Sequence, residues 1–546
     1  MYTWRVVEVG ARFHPETFSS LGVEAADEEV MPLGPDTAER QIAALRDLVA
    51  ELRESFGGES DPAVRFDLEI LLGFCERYLE HFRIEREILL PYLDLPRTVF
   101  AGIHSLLDGQ AAAKRRQAAA ARLRRYSGDN GAPPAATRLE AAVRARLAEP
   151  GLLPPYRKAV ETDLENAGLY LDGIAELLER YGISGCERPF ARLCRQLDDW
   201  VSFVRETVLP RTRRDPRLPA ALYASHLRIH GVDMPERELV SRARTAVRDR
   251  QRELRDLALR LSKKASPAGD YRAVLRRLDR EPSGAGSDVV ALHRERLCQL
   301  RHLLRRHQVV SLPPADFLLE TATAAEFARL PYPQTRFPPV LGRRTAAVEI
   351  LLPASGAAEL IGGNTPAASW VVAVHELGHA LQFASLADDA LPRARTCFAT
   401  SSDREGWAVY LETEVAPHLS LAARASFTRR QLARAVRTLL EVELHRGTTT
   451  LAEAARTLRA EVACSATAAE AELRRFVLLP GHAPSYFAGD VRASELRAEI
   501  ELALGRRFRR RAYHDFLLGQ GSIPSVSLRR LVFGELVPAV RRPRAA

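Results

Sequence analysis

The stretch SWVVAVHELGHALQF, residues 369–383, constrains this chain more than any other. Two histidines stand four apart, a glutamate follows the first, and the flanking residues are apolar or uncharged. A helix rises about 1.5 Å per residue, so positions i and i+4 lie roughly 6 Å apart on one face. His375 and His379 can therefore reach a single zinc ion at about 2.0–2.1 Å. Glu376 falls on a neighbouring face, close enough to hold a water beside the ion without binding it, the logic of an HExxH motif. Such a helix must be buried, and its ionisable groups must then find partners. Asn364-Thr365-Pro366 supplies a start signal, a capping residue and a proline in the first turn. Gly378 in mid-helix costs about 1 kcal/mol against alanine, which points to close packing there.

A zinc site needs a third protein ligand. The HExxHxxGxxH pattern is excluded, because Gln382 and Ser385 occupy its glycine and final histidine positions. The alternative is a glutamate on a second helix, and SSDREGWAVYLETEV, residues 401–415, supplies it. Ser401, Ser402 or Asp403 is the expected cap, which puts Glu405 in the first turn. Glu405 is the expected ligand, with Asp388 or Asp389 as the lesser candidate.

The remaining chain reads mostly as helix. Residues 37–56, 66–87 and 236–264 repeat apolar residues at three and four. Residues 126–136 and 280–289 are Gly-, Pro- and Ser-rich loops, and 111–126 reads as a basic helix with a solvated face. The best strand signal is TAAVEILLPA, residues 345–354. With 546 residues, 46% of them apolar, a large core is available. No run is long and apolar enough to span a membrane, and the N-terminus shows no signal-peptide pattern. Six scattered cysteines without CxxC spacing suit reduced thiols in a cytoplasmic protein. The formal charge is +9, but only four of the 79 basic residues are lysines. Arginine richness of that kind follows from a GC-rich genome, and without a nucleic-acid motif no nucleic-acid partner is expected.

HELGHALQ and EGWAVY together resemble the domain-of-unknown-function 885 family, a large and mainly bacterial group. Residues 94–109, 218–243, 442–458, 479–497 and 513–532 resemble further family segments, so the likeness covers nearly the whole chain. Many family members read HExxPGHHxQ; this chain has the compact HExxH and keeps the trailing Gln382. The family is similar to gluzincin peptidases and, more distantly, to thimet oligopeptidase and carboxypeptidase Taq. The resemblance implies a mainly α fold, a helical clamshell with a deep channel and a small β-sheet beside the HExxH helix. Residues 1–310 would form one wall and residues 311–546 the catalytic region, the two intertwined. It also implies that Tyr486, in APSYFAG, and His514, in YHDFLLGQG, act on the substrate, with His445 a further candidate.

These readings converge on a zinc metallopeptidase. His375, His379 and Glu405 would hold Zn(2+), with Glu376 as general base and Tyr486 or His514 stabilising the oxyanion. The strand at 345–354 could offer an edge to an extended peptide. Two alternatives stay open: a zinc enzyme acting on one amide of a small molecule, and an inactive scaffold. Oligomeric state is invisible at this level.

Overall fold

The computed structural model describes all residues except 110, 130, 263–269, 282–287, 315–316, 343–347, 354–360, 362–364 and 542–546. The chain is mainly helical, with one small sheet. Among its helices, α1 (Thr37–Gly58) and α2 (Pro62–Ile88) pack on each other near the N-terminus. Leu45, Leu48, Val49 and Leu52 form the buried stripe of α1 at helical spacing. Asp61 caps α2 by accepting from the Ala63 and Val64 N–H groups, and Pro62 occupies the first turn. There follow α3 (Ala118–Ser127), α4 (Ala220–Ile229), α5 (Glu236–Leu261) and α6 (Val289–Arg306). The C-terminal part carries α7 (Ala368–Ser385), α8 (Ser401–Val415), α9 (Leu421–His445), α10 (Ala466–Leu478), α11 (His482–Leu504) and α12 (Arg510–Gly519). Among the described residues, no helix is long and apolar enough to cross a membrane. All six cysteines are unpaired.

The sheet has the order β1-β3-β2, from β1 (Phe317–Thr321), β2 (Gln334–Thr335) and β3 (Val348–Leu352). β3 pairs in parallel with β1, Phe317 opposite Val348, and antiparallel with β2, Thr335 opposite Ile350. This corrects the expected peptide edge. β3 is the central strand, buried throughout, and its backbone is engaged by a neighbour on each side. The outer parts of the expected 345–354 strand lie outside the described residues.

The largest core draws on residues from both sides of position 310. Leu45, Leu52 and Leu71 share it with Val348, Val374, Leu377 and Leu411. The basic stretch 111–126 also differs from expectation. It is broken into Ala113–Arg116 and α3, and two of its arginines are inside the protein. Arg115 binds Asp27, and Arg122 donates to the carbonyls of Gly102 and Ala26. These partners lie far away along the chain, so local charge patterning could not reveal them.

α8 runs between α7 and α11 and touches both through glycines. A Cβ on Gly378 of α7 would stand 3.0 Å from the Ala408 Cα of α8. A Cβ on Gly406 of α8 would stand 2.5 Å from the carbonyl carbon of Gly489 on α11. These contacts are backbone against backbone, so no rotamer change can relieve an added methyl. In an open helix Gly406→Ala would stabilise by about 1 kcal/mol. Here overpacking wins, and we expect a net loss of about 1–3 kcal/mol. Urea unfolding of the variant checks this; a midpoint at or above the parent's would mean that the helices are not in backbone contact.

Candidate metal centre

α7 is buried along almost its whole length, as its apolar sequence requires. Its first turn is tied back by Thr365, whose hydroxyl accepts from the Ala368 N–H. Asn364 of the expected start signal lies outside the described residues. His375 and His379 project from one face of α7 with ring centroids 4.8 Å apart.

Facing them is α8. Thr400, rather than Ser401, Ser402 or Asp403, is its cap, and Asp403 closes a capping box with Thr400. Glu405 therefore stands beyond the first turn, which weakens any reading of it as a partner of the helix dipole. The Trp407 indole N–H donates to the Gly378 carbonyl at 2.9 Å and locks α8 to α7. Glu405 Oε2 stands 3.2 Å from His375 Nε2 and 3.2 Å from His379 Nε2. It makes no directed hydrogen bond with the described residues despite this proximity.

Three donor atoms that crowd together without bonding one another are what a shared cation requires. Two ligands about 2.0–2.1 Å from one tetrahedral ion stand about 3.3 Å apart. The spacing, the two-imidazole and one-carboxylate donor set and the unbonded Glu405 oxygen all fit zinc. The charges agree. Glu405 and Glu412 bring two negative charges to His375, and Arg434 returns one positive charge to Glu412. Burial opposes a charged imidazole, yet the Glu405 and Glu412 carboxylates outweigh it and lift His375 to about 9. Burial likewise opposes the Glu405 carboxylate, but the two imidazoles hold it well below its ordinary range.

Glu412 was not apparent from the sequence. It is fully buried, accepts from His375 Nδ1 at 2.9 Å, and is gripped by both terminal nitrogens of Arg434 at 2.7 Å. That bond directs His375 Nε2 toward Glu405 and makes the ring a better ligand. Its one sequence signal is position: Glu412 lies two helical turns beyond Glu405, on the same face of α8. Thr335 of β2 was also missed. Its hydroxyl donates to Glu376 Oε2 at 2.8 Å, so the sheet edge fixes the candidate base.

The same cavity is lined by Tyr486, whose ring stacks against His375 at 6.1 Å, and by Tyr332, Phe383 and several arginines. Burial and the nearby Glu405 charge push the Tyr486 phenol up, so it remains an O–H donor at neutral pH. His514 is placed elsewhere, which corrects its expected role. It is fully buried behind α8, donating from Nδ1 to the Val309 carbonyl at 2.7 Å and meeting the Tyr410 hydroxyl at 2.8 Å through Nε2. Both ring nitrogens are committed, and the ring packs against Trp407 and Tyr410 rather than lining the cavity. His445 stacks on Tyr223 and accepts from the Leu218 N–H, away from the site. Asp388 and Asp389 follow α7 and do not join the imidazoles.

One other group of ligand types comes together among the described residues: His81, Glu85 and His226. His81 Nδ1 is hydrogen-bonded to Ser225, and its Nε2 stands 3.2 Å from Glu85 Oε1.

Glu412→Gln keeps the shape of the side chain and weakens its grip on His375. We expect zinc affinity to fall about 10–100-fold. Competition against a chromogenic chelator measures this, and an unchanged affinity would show that Glu412 does not orient the ligand.

A family model described as "Bacterial protein of unknown function (DUF885)" matches residues 15–532. No curated protein matches the chain. Among the solved structures that share its fold are the following two. One is titled a "putative lipoprotein of unknown function" from Shewanella oneidensis, with 16% identity and a TM-score of 0.74 over 97% of this chain and 98% of that one. The other is titled the "putative lipoprotein" from Colwellia psychrerythraea, with 15% identity and a TM-score of 0.75 over 98% and 99%.

Proposed function

The chain belongs to the DUF885 family, and on that premise we propose that it is a zinc-dependent peptide hydrolase of the gluzincin kind. One observation carries the reading: the Glu405 carboxylate comes from a separate helix to within 3.2 Å of both HExxH imidazoles. A helical clamshell around a channel that admits peptide belongs to the same reading, and so does a cytoplasmic location, which suits six free thiols.

His375, His379 and Glu405 would hold the ion. Zinc supplies Lewis acidity there, both toward a carbonyl group and toward water. The protein's own residues carry the proton and place the substrate. Glu376 accepts a proton from the attacking water on a carboxylate that Thr335 holds in place. The Tyr486 O–H, kept protonated by its burial, donates to the carbonyl oxygen as negative charge develops. Glu376 then returns the proton to the leaving nitrogen as the C–N bond breaks. One water is consumed, and a carboxylic acid and an amine are released. Apolar Val371, Val372 and Phe383 line the cavity beside these groups and limit its water.

Two substitutions separate the roles. Glu376→Gln should hold zinc at parental stoichiometry while kcat falls by about 10²–10⁴; near-parental turnover would remove Glu376 as the base. Glu405→Ala should lose zinc on dialysis, read by elemental analysis. Parental metal content would remove Glu405 from the ligand set.

A further inference from the structure

The wall opposite α7 carries an unusual excess of positive charge. α9 turns Arg430, Arg434 and Arg437 toward the cavity at helical spacing, and α10 adds Arg475. Arg434 is fully used by Glu412. Arg437 and Arg475 share one carboxylate, Glu472. Its Oε2 lies 3.2 Å from Arg437 Nε and 3.6 Å from Arg475 Nη1, neither with hydrogen-bond geometry. Burial opposes its charge, but the surrounding arginines keep Glu472 ionised. Arg430 makes no hydrogen bond or ion pair with the described residues. Arg437 is 3% exposed, yet its Nη2 has no partner among them, and neither has Arg475 Nη2.

Three guanidinium groups and one carboxylate, Glu472, therefore line one cavity, and two of the three carry buried donors without a partner among the described residues. Leaving a buried donor unmade costs about 1–3 kcal/mol, more when it is charged. Helix α9 could hold its packing with apolar residues at these positions, so the cost calls for a ligand that repays it. The Tyr486 ring locates that ligand. It lies 5.4 Å from the Arg437 guanidinium, 5.9 Å from those of Arg434 and Arg475, and 6.1 Å from the His375 ring. Tyr332 backs Arg475 at 4.4 Å and holds the fork in place. Planar forks of this kind match a carboxylate in bidentate fashion.

We propose that Arg430, Arg437 and Arg475 receive a carboxylate group of the substrate, one tyrosine ring away from His375. This deepens the hydrolase reading and rests on it for the nature of the substrate. The carboxylate is either the C-terminus of the peptide or an acidic side chain beside the cleaved bond.

The test uses the full zinc-loaded chain. Acyl-Ala-Ala-Ala is compared as free acid and as amide, and acyl-Ala-Glu-Ala amide with acyl-Ala-Gln-Ala amide. In at least one pair the charged member should have a kcat/KM about tenfold or more above its neutral partner. The acid–amide pair identifies C-terminal recognition; the Glu–Gln pair identifies a side-chain pocket. Binding of N-acetyl-Ala-Ala-Ala, N-acetyl-Ala-Glu-Ala amide and their neutral partners to the Glu376→Gln protein is read by calorimetry, with no need for turnover. Arg430→Met removes no bond that folding needs, so it should fold with parental zinc content and unchanged or raised thermal stability. It should also bring the charged-to-neutral ratio toward one. Arg475→Lys, which keeps charge but loses the fork, should lower the ratio as well. Equal affinity for charged and neutral members in the parent overturns the proposal, as does a preference unaltered in both variants. A binding preference without any cleavage would leave the carboxylate site standing and remove the hydrolase reading instead.

Discussion

The Glu405 carboxylate stands 3.2 Å from two imidazoles because α8 lies in direct backbone contact with α7 on one side and α11 on the other. Side-chain interdigitation normally keeps helix axes 8–10 Å apart. Gly378, Gly406 and Gly489 remove that spacer at the level of the site. The carboxylate is short, so its reach depends on that close approach. The Trp407–Gly378 bond then fixes the rotation of α8, which decides where Glu405 and Glu412 point.

From this crossing follows a layered arrangement of charge. Nearest the imidazoles are carboxylates: Glu405 from α8, Glu376 from α7, and Glu412 behind His375. Behind Glu412 lies Arg434, and along the same face of α9 come Arg430 and Arg437. Negative groups thus surround the place for a cation, and positive groups surround the space beside it. Such opposed fields in one low-dielectric cavity are costly to assemble, and they are strongest where water is scarce. Tyr486 stands at the boundary, with its ring against both His375 and the arginines.

The parts of this arrangement that were legible in the sequence are those written in local spacing. The i and i+4 imidazoles, the helix beginning near residue 401 and the close packing at Gly378 all depend on neighbours within a turn or two. The cap moved to Thr400 because a capping box pairs residues three apart, and its threonine lies just outside the EGWA helix stretch. What depended on distant partners was not legible. The strand Val348–Leu352 was recognisable by its β-branched and aliphatic residues, but nothing local says that it is flanked on both sides. Arg115 and Arg122 look like surface charge until Asp27 and two carbonyl groups reach them from elsewhere. With 75 arginines in the chain, those of the cavity wall are distinguished by tertiary position alone. His514 was misplaced for the complementary reason: a histidine in a distinctive motif can serve packing, and here both its nitrogens bind within the core.

Among the described residues, two groups offer two histidines and a glutamate to a metal ion. A spectroscopic ligand count cannot separate them. Anomalous diffraction at the zinc edge from crystals of the zinc-loaded protein can. One strong peak per chain is expected, within about 2.0–2.2 Å of His375 Nε2, His379 Nε2 and a Glu405 oxygen. A peak confined to His81, Glu85 and His226, or no peak at stoichiometric zinc, would contradict this expectation.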